Sequence, residues 1–187
     1  QMVFKFDAKG NETEKISYNI HGKLSRRYVS KYDNKGNRTE RINYNPGKAA
    51  ALVNLGIVYQ NRGDLEQALK HHQQALEIHR RIDNPLGEAN ALGNLGLVYQ
   101  DKGDLEQALK YYQQALEIYR KIGNPLGEAN ALNNLGIVYQ DKGKLDEALN
   151  YYKEASRIFE KIGTKLQSQI VNDNIKKIQV LKQKANI

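Results

Sequence analysis

Apolar side chains recur every three or four residues between residues 47 and 166, and this spacing predicts amphipathic helices over most of the chain. The pattern is clearest in the middle of the chain, at Leu92, Leu95, Leu105, Ala108, Leu109, Tyr112, Ala115, Leu116 and Tyr119. A helix with one apolar face gains most of its stability when another helix covers that face. We therefore predict packed pairs of helices in this region.

The helical pattern repeats every 40 residues. Residues 47–86 and 87–126 are identical at 29 of 40 positions, and residues 87–126 and 127–166 are identical at 26 of 40. A fixed period of this length indicates stacked units rather than a single globule. Each unit predicts a first helix, a short turn and a second helix.

Cap and turn residues mark the ends of these helices. Three glycines fall just past the first helices, where a left-handed residue can close a helix: Gly63, Gly103 and Gly143. Asp64 and Asp104 follow as predicted N-caps of the second helices, whereas Lys144 takes this position in the third copy. Pro85 and Pro125 separate the copies, because a proline disfavours helical geometry in the residue before it.

The repeated residues resemble those of a known family. They are Leu55, Gly56, Tyr59, Gly63, Ala68 and Ala75 in the first copy, Leu92, Leu95, Gly96, Tyr99, Gly103, Ala108, Tyr112 and Ala115 in the second, and Leu135, Gly136, Tyr139, Gly143, Ala148, Tyr152 and Ala155 in the third. Over residues 47–166 the chain resembles the tetratricopeptide repeat family, in the form with a lengthened second helix found in kinesin light chains and Leu-Gly-Asn repeat adaptors. His72 departs from the tyrosine of the later copies.

The resemblance implies an all-α tetratricopeptide solenoid of three helix-turn-helix repeats. Residues 167–187 follow the repeats, and their apolar positions Ile170, Ile175, Ile178 and Leu181 predict one more amphipathic helix. Terminal repeats need a partly polar helix to cover their exposed end. We therefore interpret residues 167–187 as a capping helix.

Residues 1–46 have a different pattern, in which apolar and polar positions alternate. FDAKGNETEKISYN from Phe6 recurs as YDNKGNRTERINYN from Tyr32, an offset of 26 residues with 9 of 14 positions identical. Alternation around Asp-x-Lys-Gly-Asn turns predicts a small antiparallel β-meander of three or four strands with one apolar face, packed on the first helical pair or on a neighbouring domain. The Tyr32-Asp33 and Phe6-Asp7 pairs resemble the Tyr-Asp repeats of bacterial surface and toxin-associated proteins.

The net charge of +8 is concentrated at the two ends of the chain. Residues 1–47 contain ten Lys and Arg against five Asp and Glu, whereas the repeats are balanced. Because phosphate binding needs several cations on one surface, nucleic acid is an unfavoured partner for the helices. Cysteine is absent and no apolar run is long enough to span a membrane, so the compartment stays unknown. Starting at Gln1, the chain is expected to be a piece of a longer protein, with a natural or engineered junction at residues 45–47.

The resemblance implies that the first helices line a concave groove. The residues expected to face it are Asn54, Ile57 and Gln60 in the first copy, Asn90, Asn94, Leu97 and Gln100 in the second, and Asn130, Asn134, Ile137 and Gln140 in the third. Asparagine within a helix costs roughly half a kcal/mol relative to alanine, so a row of three suggests a compensating role. Either these amides bind the backbone of an extended peptide, or they bond neighbouring helices or were simply copied with the repeat.

Catalytic and metal-binding patterns are absent from the sequence. No Ser-His-acid or phosphate-loop pattern occurs, and we expect neither enzymatic activity nor a cofactor. His71, His72 and His79 stand where later copies have tyrosines, so we interpret them as packing residues rather than metal ligands.

The predicted function is a non-catalytic scaffold that binds a protein or an extended peptide in the groove. One alternative is a structural spacer or self-assembly module that associates through a β edge or the solenoid ends. Another is binding of RNA or an anionic surface by the meander. The residues considered for that contact are Lys23, Arg26, Arg27, Lys31, Arg38 and Arg41.

Overall fold

A computed structural model describes residues 1–18 and 24–185. Within these residues a four-stranded sheet precedes seven helices. The strands are β1 (Met2–Phe6), β2 (Glu12–Tyr18), β3 (Leu24–Tyr32) and β4 (Arg38–Tyr44). The helices are α1 (Pro46–Asn61), α2 (Leu65–Arg81), α3 (Pro85–Asp101), α4 (Leu105–Lys121), α5 (Pro125–Asp141), α6 (Leu145–Lys161) and α7 (Lys165–Ala185). The prediction of a β-meander followed by helical repeats and a terminal helix is confirmed.

The sheet is an antiparallel meander in the order β1-β2-β3-β4. Each 26-residue unit forms one hairpin, β1 with β2 and β3 with β4, around its Asp-x-Lys-Gly-Asn turn. Asp7 Oδ1 accepts from the backbone N–H groups of Lys9 at 2.9 Å and Asn11 at 3.0 Å, and Asp33 repeats this arrangement in the second hairpin. Gly10 has a φ of 83°, a left-handed conformation that glycine adopts without strain.

The register divides the apolar side chains between the two faces of the sheet. Phe4 is opposite Lys15, whereas Ile16 is opposite Val3. Directly opposed residues on antiparallel strands share a face, and successive residues on one strand point to opposite faces. Phe4 and Ile16 therefore lie on different faces, and the prediction of one apolar face was wrong. Simple alternation within each strand does not reveal how neighbouring strands are aligned.

One face of the sheet packs on the first helical pair, α1 and α2. This is one of the two predicted arrangements, the other being packing on a neighbouring domain. Tyr44 is 4% exposed and packs with Leu52 of α1 and with Ile78 and Ile82 of α2. Arg27 adds a polar contact, since its guanidinium donates to the backbone carbonyl of the α2 residue Arg81. The sheet therefore covers part of the N-terminal end of the solenoid.

Side-chain caps begin most of the helices. The carboxylate of Asp104 accepts from Gln107 N at 3.1 Å at the start of α4, and Asn124 accepts from Gly127 N at 2.9 Å at the start of α5. Asp64, Asn84 and Asn45 cap α2, α3 and α1 in the same way. Lys144 begins α6 without a side-chain cap, because its ammonium has no acceptor for a backbone N–H.

The two helices of a repeat approach closely at a glycine. A Cβ added to Gly96 would lie 2.7 Å from the ring of Tyr112, and one added to Gly136 would lie 2.7 Å from Tyr152. In the first copy the ring of His72 lies against Gly56. The glycine and the ring form one packing unit, which explains why both recur in every copy.

The helices form two layers tied together between repeats. In the first-helix layer, Gln60 Nε2 donates to Asp101 Oδ2 at 2.6 Å. In the second-helix layer, Arg120 Nη2 contacts Glu154 Oε1 at 2.6 Å. Three further ion pairs connect a second helix to the next first helix: Glu66 with Lys102, Glu106 with Lys142, and Asp146 with Lys182.

Helix α7 occupies the position of a fourth first helix, since Lys182 stands 40 residues after Lys142 and makes the equivalent ion pair. Its buried apolar residues are Val171 and Ile178 at 1% and 0% exposed. Ile170 and Leu181, expected to share the apolar side with Ile178, are about half exposed at 50% and 45%, and that part of the prediction was wrong. Among the described helices, none has the length and apolarity needed to cross a membrane.

Candidate peptide-binding face

The predicted groove residues lie along α1, α3 and α5, and we call this surface the first-helix face. Its exposed members are Asn54, Ile57, Asn90, Leu97 and Asn130, and its half-buried members are Gln60, Asn94, Gln100, Asn134, Ile137 and Gln140. Leu97 is 43% exposed and Ile57 is 41% exposed. Accessible apolar groups thus lie beside a row of amides.

The glutamines of the first-helix face bond neighbouring helices. Gln100 Oε1 accepts from the hydroxyl of Tyr112 at 3.1 Å, while its Nε2 donates to Asp141 Oδ2 at 3.3 Å. Gln140 accepts from Tyr152 in the same way, at 3.0 Å. These glutamine side chains therefore bond neighbouring helices, as the second of the two interpretations predicts. Each contact links a first helix to its own second helix or to the next repeat.

The asparagine row differs from the glutamines. Within the described residues, the side-chain amides of Asn54, Asn94 and Asn134 form no intramolecular hydrogen bond. Asn133 lies beside Asn134, and its Oδ1 is buried without a donor. Because that oxygen is enclosed by the protein, a ligand could reach only the exposed or half-buried amides of Asn54, Asn94 and Asn134.

Asn90 is engaged in the fold, because its Oδ1 accepts from the hydroxyl of Tyr119 at 2.7 Å. Asn130 is its equivalent in the third copy, where Phe159 replaces the tyrosine and has no hydroxyl to donate. The same sequence position is therefore structural in α3 and has lost this role in α5. The sequence contained this signal in the Tyr119-to-Phe159 change, but only the structure shows which amide the tyrosine reaches.

The charges around the first-helix face are acidic rather than basic. None of its eleven residues is Lys or Arg, and the carboxylates of Asp101 and Asp141 accept from the glutamines at one end. Burial raises the pKa of Tyr152 to about 12, and the charge of Asp141 adds to the shift. The hydroxyl therefore remains a neutral donor to Gln140 at ordinary pH.

The histidines of the first copy serve as packing residues. His72 is 0% exposed against Gly56, and His71 stacks on Tyr59 with the ring centroids 5.2 Å apart. Burial lowers the pKa of His72 to about 4, and the charge of His71 contributes to this shift. The described part of the chain contains no cluster of three or more His, Cys, Asp or Glu residues that could hold a metal ion.

The residues considered for an anionic contact do not form one surface. Arg26 and Arg41 lie on the sheet face turned away from the helices, together with Lys15, which the sequence reasoning missed. Arg27 and Lys31 lie on the inner side and pair with Glu14 and Glu40. Arg38 is exposed at the start of β4, and Lys23 lies outside the described residues.

Comparison with known proteins agrees with the arrangement of two helical layers. The sequence model described as Tetratricopeptide repeat matches residues 47–121 and again residues 87–161. The chain belongs to the tetratricopeptide repeat family. Such repeats are typically non-catalytic protein-interaction modules. No curated protein matches the chain.

Solved structures share this fold at low sequence identity. The apo form of RapI has a TM-score of 0.69 and 20% identity, covering 75% of this chain and 51% of RapI. Aspartyl phosphate phosphatase F from Bacillus subtilis has a TM-score of 0.71 and 18% identity, covering 75% of this chain and 37% of that one. A signal transduction ATPase from Pyrococcus horikoshii, which carries a tetratricopeptide repeat sensor, has a TM-score of 0.62 and 24% identity, covering 66% and 19%. The chain spans about half the length of RapI and less of the other two.

Proposed function

We propose that this tetratricopeptide repeat chain is a scaffold that binds an extended peptide or partner segment on its first-helix face. The observation that carries this proposal is the row of Asn54, Asn94 and Asn134, whose amides lack intramolecular bonds within the described residues. Each amide has both a donor and an acceptor, so it matches the N–H and C=O of a peptide backbone.

Apolar side chains supply the other part of the recognition. Ile57, Leu97 and Ile137 follow the asparagines by three residues in each copy, which is one turn of the same helix face. A peptide lying along the face would meet an amide and an aliphatic group in every repeat. Backbone bonding holds such a segment, and the aliphatic contacts favour apolar side chains in it.

The charge of the first-helix face limits the kind of partner. Without Lys or Arg among its eleven residues, the face offers no clamp for a terminal carboxylate or an acidic motif. Asp101 and Asp141 place negative charge at one end. A neutral or weakly basic partner segment fits this distribution best.

The test is capture from lysate of the source cells with the intact chain and with Asn54, Asn94 and Asn134 all changed to alanine. The matched control changes Gln73, Gln113 and Asn150, exposed amides of the second helices, to alanine. We expect the asparagine triple variant to lose a partner that the control retains, while both keep the helical circular dichroism of the parent. Equal capture by the two variants would contradict binding on this face.

A second candidate function is self-association through the N-terminal end of the solenoid. Leu55 and Val58 of α1 are 44% and 43% exposed, whereas their equivalents Leu95 and Val98 of α3 are both 0% exposed beneath α2. The same apolar patch on two copies is self-complementary, so a two-fold contact between α1 helices would cover it.

Light scattering at high protein concentration tests this second candidate. We expect a dimer that becomes a monomer when Leu55 and Val58 are changed to glutamate, and that persists when the exposed Ile170 of α7 is changed to glutamate. A parent chain that stays monomeric at every concentration would exclude it.

A further inference from the structure

The sheet face turned away from the helices carries cations from three adjacent strands. Ile42 and Tyr44 of β4 join the core on α1 and α2, so the residues that alternate with them point outward. The register continues this side across the sheet, with Lys15 opposite Tyr28 and Ser30 opposite Arg41. We call this surface the outer sheet face.

The inner and outer faces of the sheet differ in how many of their cations have a carboxylate partner. On the inner side Glu14 lies between Lys5, 2.6 Å from its carboxylate, and Arg27, which makes a second ion pair. On the outer sheet face Arg41 makes one ion pair, with Glu12 at 3.6 Å. Within the described residues, neither Lys15 nor Arg26 has a carboxylate within ion-pair distance.

Aromatic rings hold these cations in place. The guanidinium of Arg41 lies 4.6 Å from the centre of the Tyr28 ring, and the ammonium of Lys15 lies 5.3 Å from the centre of Phe4. Arg26 donates to the Tyr28 hydroxyl at 3.4 Å. Attraction between a cation and a ring orients the side chain without neutralising it, so Lys15 and Arg26 stay without a carboxylate partner within the described residues and Arg41 has one, Glu12.

A cleft of about 410 Å³ opens between these groups. It is lined by Met2, Lys15, Ser17, Arg26, Tyr28 and Arg41. Two guanidiniums, an ammonium and two hydroxyls can all donate hydrogen bonds, whereas the lining contains no carboxylate. A ligand that fills the cleft must therefore be rich in acceptors and negatively charged.

We propose that the cleft on the outer sheet face binds a phosphate monoester. Three cations with a single carboxylate partner, Glu12, favour a dianion over a monoanion, and the two planar guanidinium groups suit the paired oxygens of a phosphate. The cleft is larger than a phosphate group alone, so the group is carried on a peptide or a small molecule. Single-stranded nucleic acid fits less well, because Arg41 and Lys15 occupy faces of the two rings on which bases would stack.

Calorimetric titration of the full chain tests the proposal with probes that differ only in charge. Phenyl phosphate is a dianion and phenyl sulfate is a monoanion at about pH 7.5, because the second pKa of a phosphate monoester is about 6. A phosphoserine peptide and its unphosphorylated form show whether the group is recognised on a protein, and a short oligothymidylate serves as the nucleic-acid probe. We expect phenyl phosphate to bind several-fold more tightly than phenyl sulfate.

Matched variants separate a site from a general charge effect. Changing Arg26 and Arg41 to glutamine is expected to weaken phenyl phosphate binding by about tenfold or more. Changing Lys35 and Arg38 to glutamine removes the same charge from exposed positions outside the cleft and is expected to leave affinity within about twofold. A third variant, with Arg26 and Arg41 changed to lysine, keeps the charge but loses the planar donors, so an intermediate loss is expected.

Three results would overturn the proposal. They are equal losses in the two glutamine variants, no preference for phenyl phosphate over phenyl sulfate, and tighter binding of oligothymidylate than of either phosphorylated probe. Unchanged circular dichroism of each variant excludes unfolding as the cause of a loss. Because the cleft lies on the sheet and not on the helices, the result is independent of peptide binding on the first-helix face.

Discussion

Equivalent leucines in the three repeats provide an internal test of how the solenoid is held together. Leu55, Leu95 and Leu135 occupy the same position in α1, α3 and α5, but Leu95 and Leu135 are 0% exposed whereas Leu55 is 44% exposed. The difference arises because α2 and α4 cover the later helices, while the sheet covers only the first half of α1. Changing each leucine to alanine should therefore lower the free energy of unfolding by different amounts.

The magnitudes follow from burial. Changing Leu95 to alanine removes a fully buried side chain and leaves a cavity closed on all sides, which costs about 3 kcal/mol. At Leu55 nearly half of the side chain already contacts water and no closed cavity can form, so the cost is about 1 kcal/mol. Leu135 should behave like Leu95. The difference of about 2 kcal/mol corresponds to more than a tenfold change in the unfolding equilibrium.

Equilibrium unfolding in urea, followed by helical circular dichroism, measures these costs. Because repeat proteins can unfold in steps, the three variants should be compared by fitting a nearest-neighbour repeat model to all curves together. At a concentration low enough for the chain to be a monomer, a cost at Leu55 as large as that at Leu95 would refute the reasoning. At higher concentration, self-association through α1 would cover Leu55 and raise the apparent cost of its substitution, and dilution would lower that cost again.

For three further substitutions, the structure around the residue predicts whether the chain becomes more or less stable. Burial lowers the pKa of His72 to about 4, below the unfolded value of about 6.5, so the unfolded chain binds the proton first and stability is lost as pH falls between these values. Changing His72 to tyrosine should reduce this acid sensitivity in pH-dependent thermal melts. Changing Lys144 to aspartate should stabilise the chain by about 1 kcal/mol in urea unfolding, because α6 begins without a side-chain cap. The Ser156 hydroxyl contacts Asn172 Oδ1 at 2.8 Å and Glu160 Oε1 at 3.1 Å, so changing Ser156 alone to leucine should destabilise the chain. Changing Asn172 to leucine as well should recover the part of the loss that comes from Asn172, which a double-mutant cycle measures.

The helical part of the fold could be predicted because several separate features of the sequence indicate the same pairs of helices. Spacing of apolar residues, capping Asp104 and Asn124, and close-packing Gly96 all agree, and the same pattern occurs in each of the three copies. The terminal helix was harder to predict. Its buried side is set by packing on α6, which selected Val171 over its neighbour Ile170.

The sheet shows what sequence alternation leaves undetermined. Hairpin turns at Asp7 and Asp33 were readable from their chemistry, but the irregular pairing between Lys5 and Phe6 shifts the alignment of β1 against β2. A shift of one residue moves side chains to the other face. The cleft around Tyr28 therefore could not be predicted, because it depends on the relative alignment of strands.

The candidate binding face was inferred from the spacing of its residues, and that spacing does not indicate the role of each amide. Gln100 and Asn90 accept from tyrosine hydroxyls, and those contacts depend on how a second helix tilts against the first. Asn94 lies four residues after Asn90 and six before Gln100, and it has no such partner within the described residues. Sequence spacing placed all three on one side of α3, and only the packing of α4 distinguishes them.

Differences between the copies help to separate packing from binding. The third copy has replaced the capping aspartate by Lys144 and a core leucine by Ser156, so it has changed even at positions that stabilise the fold. It nevertheless keeps Asn134, whose amide forms no intramolecular bond within the described residues and whose helix propensity is poor. Packing explains the repeated glycines, but it does not explain this asparagine. A partner that bonds the amide row would account for the residue, and this is why the asparagine triple variant is the most direct test of function.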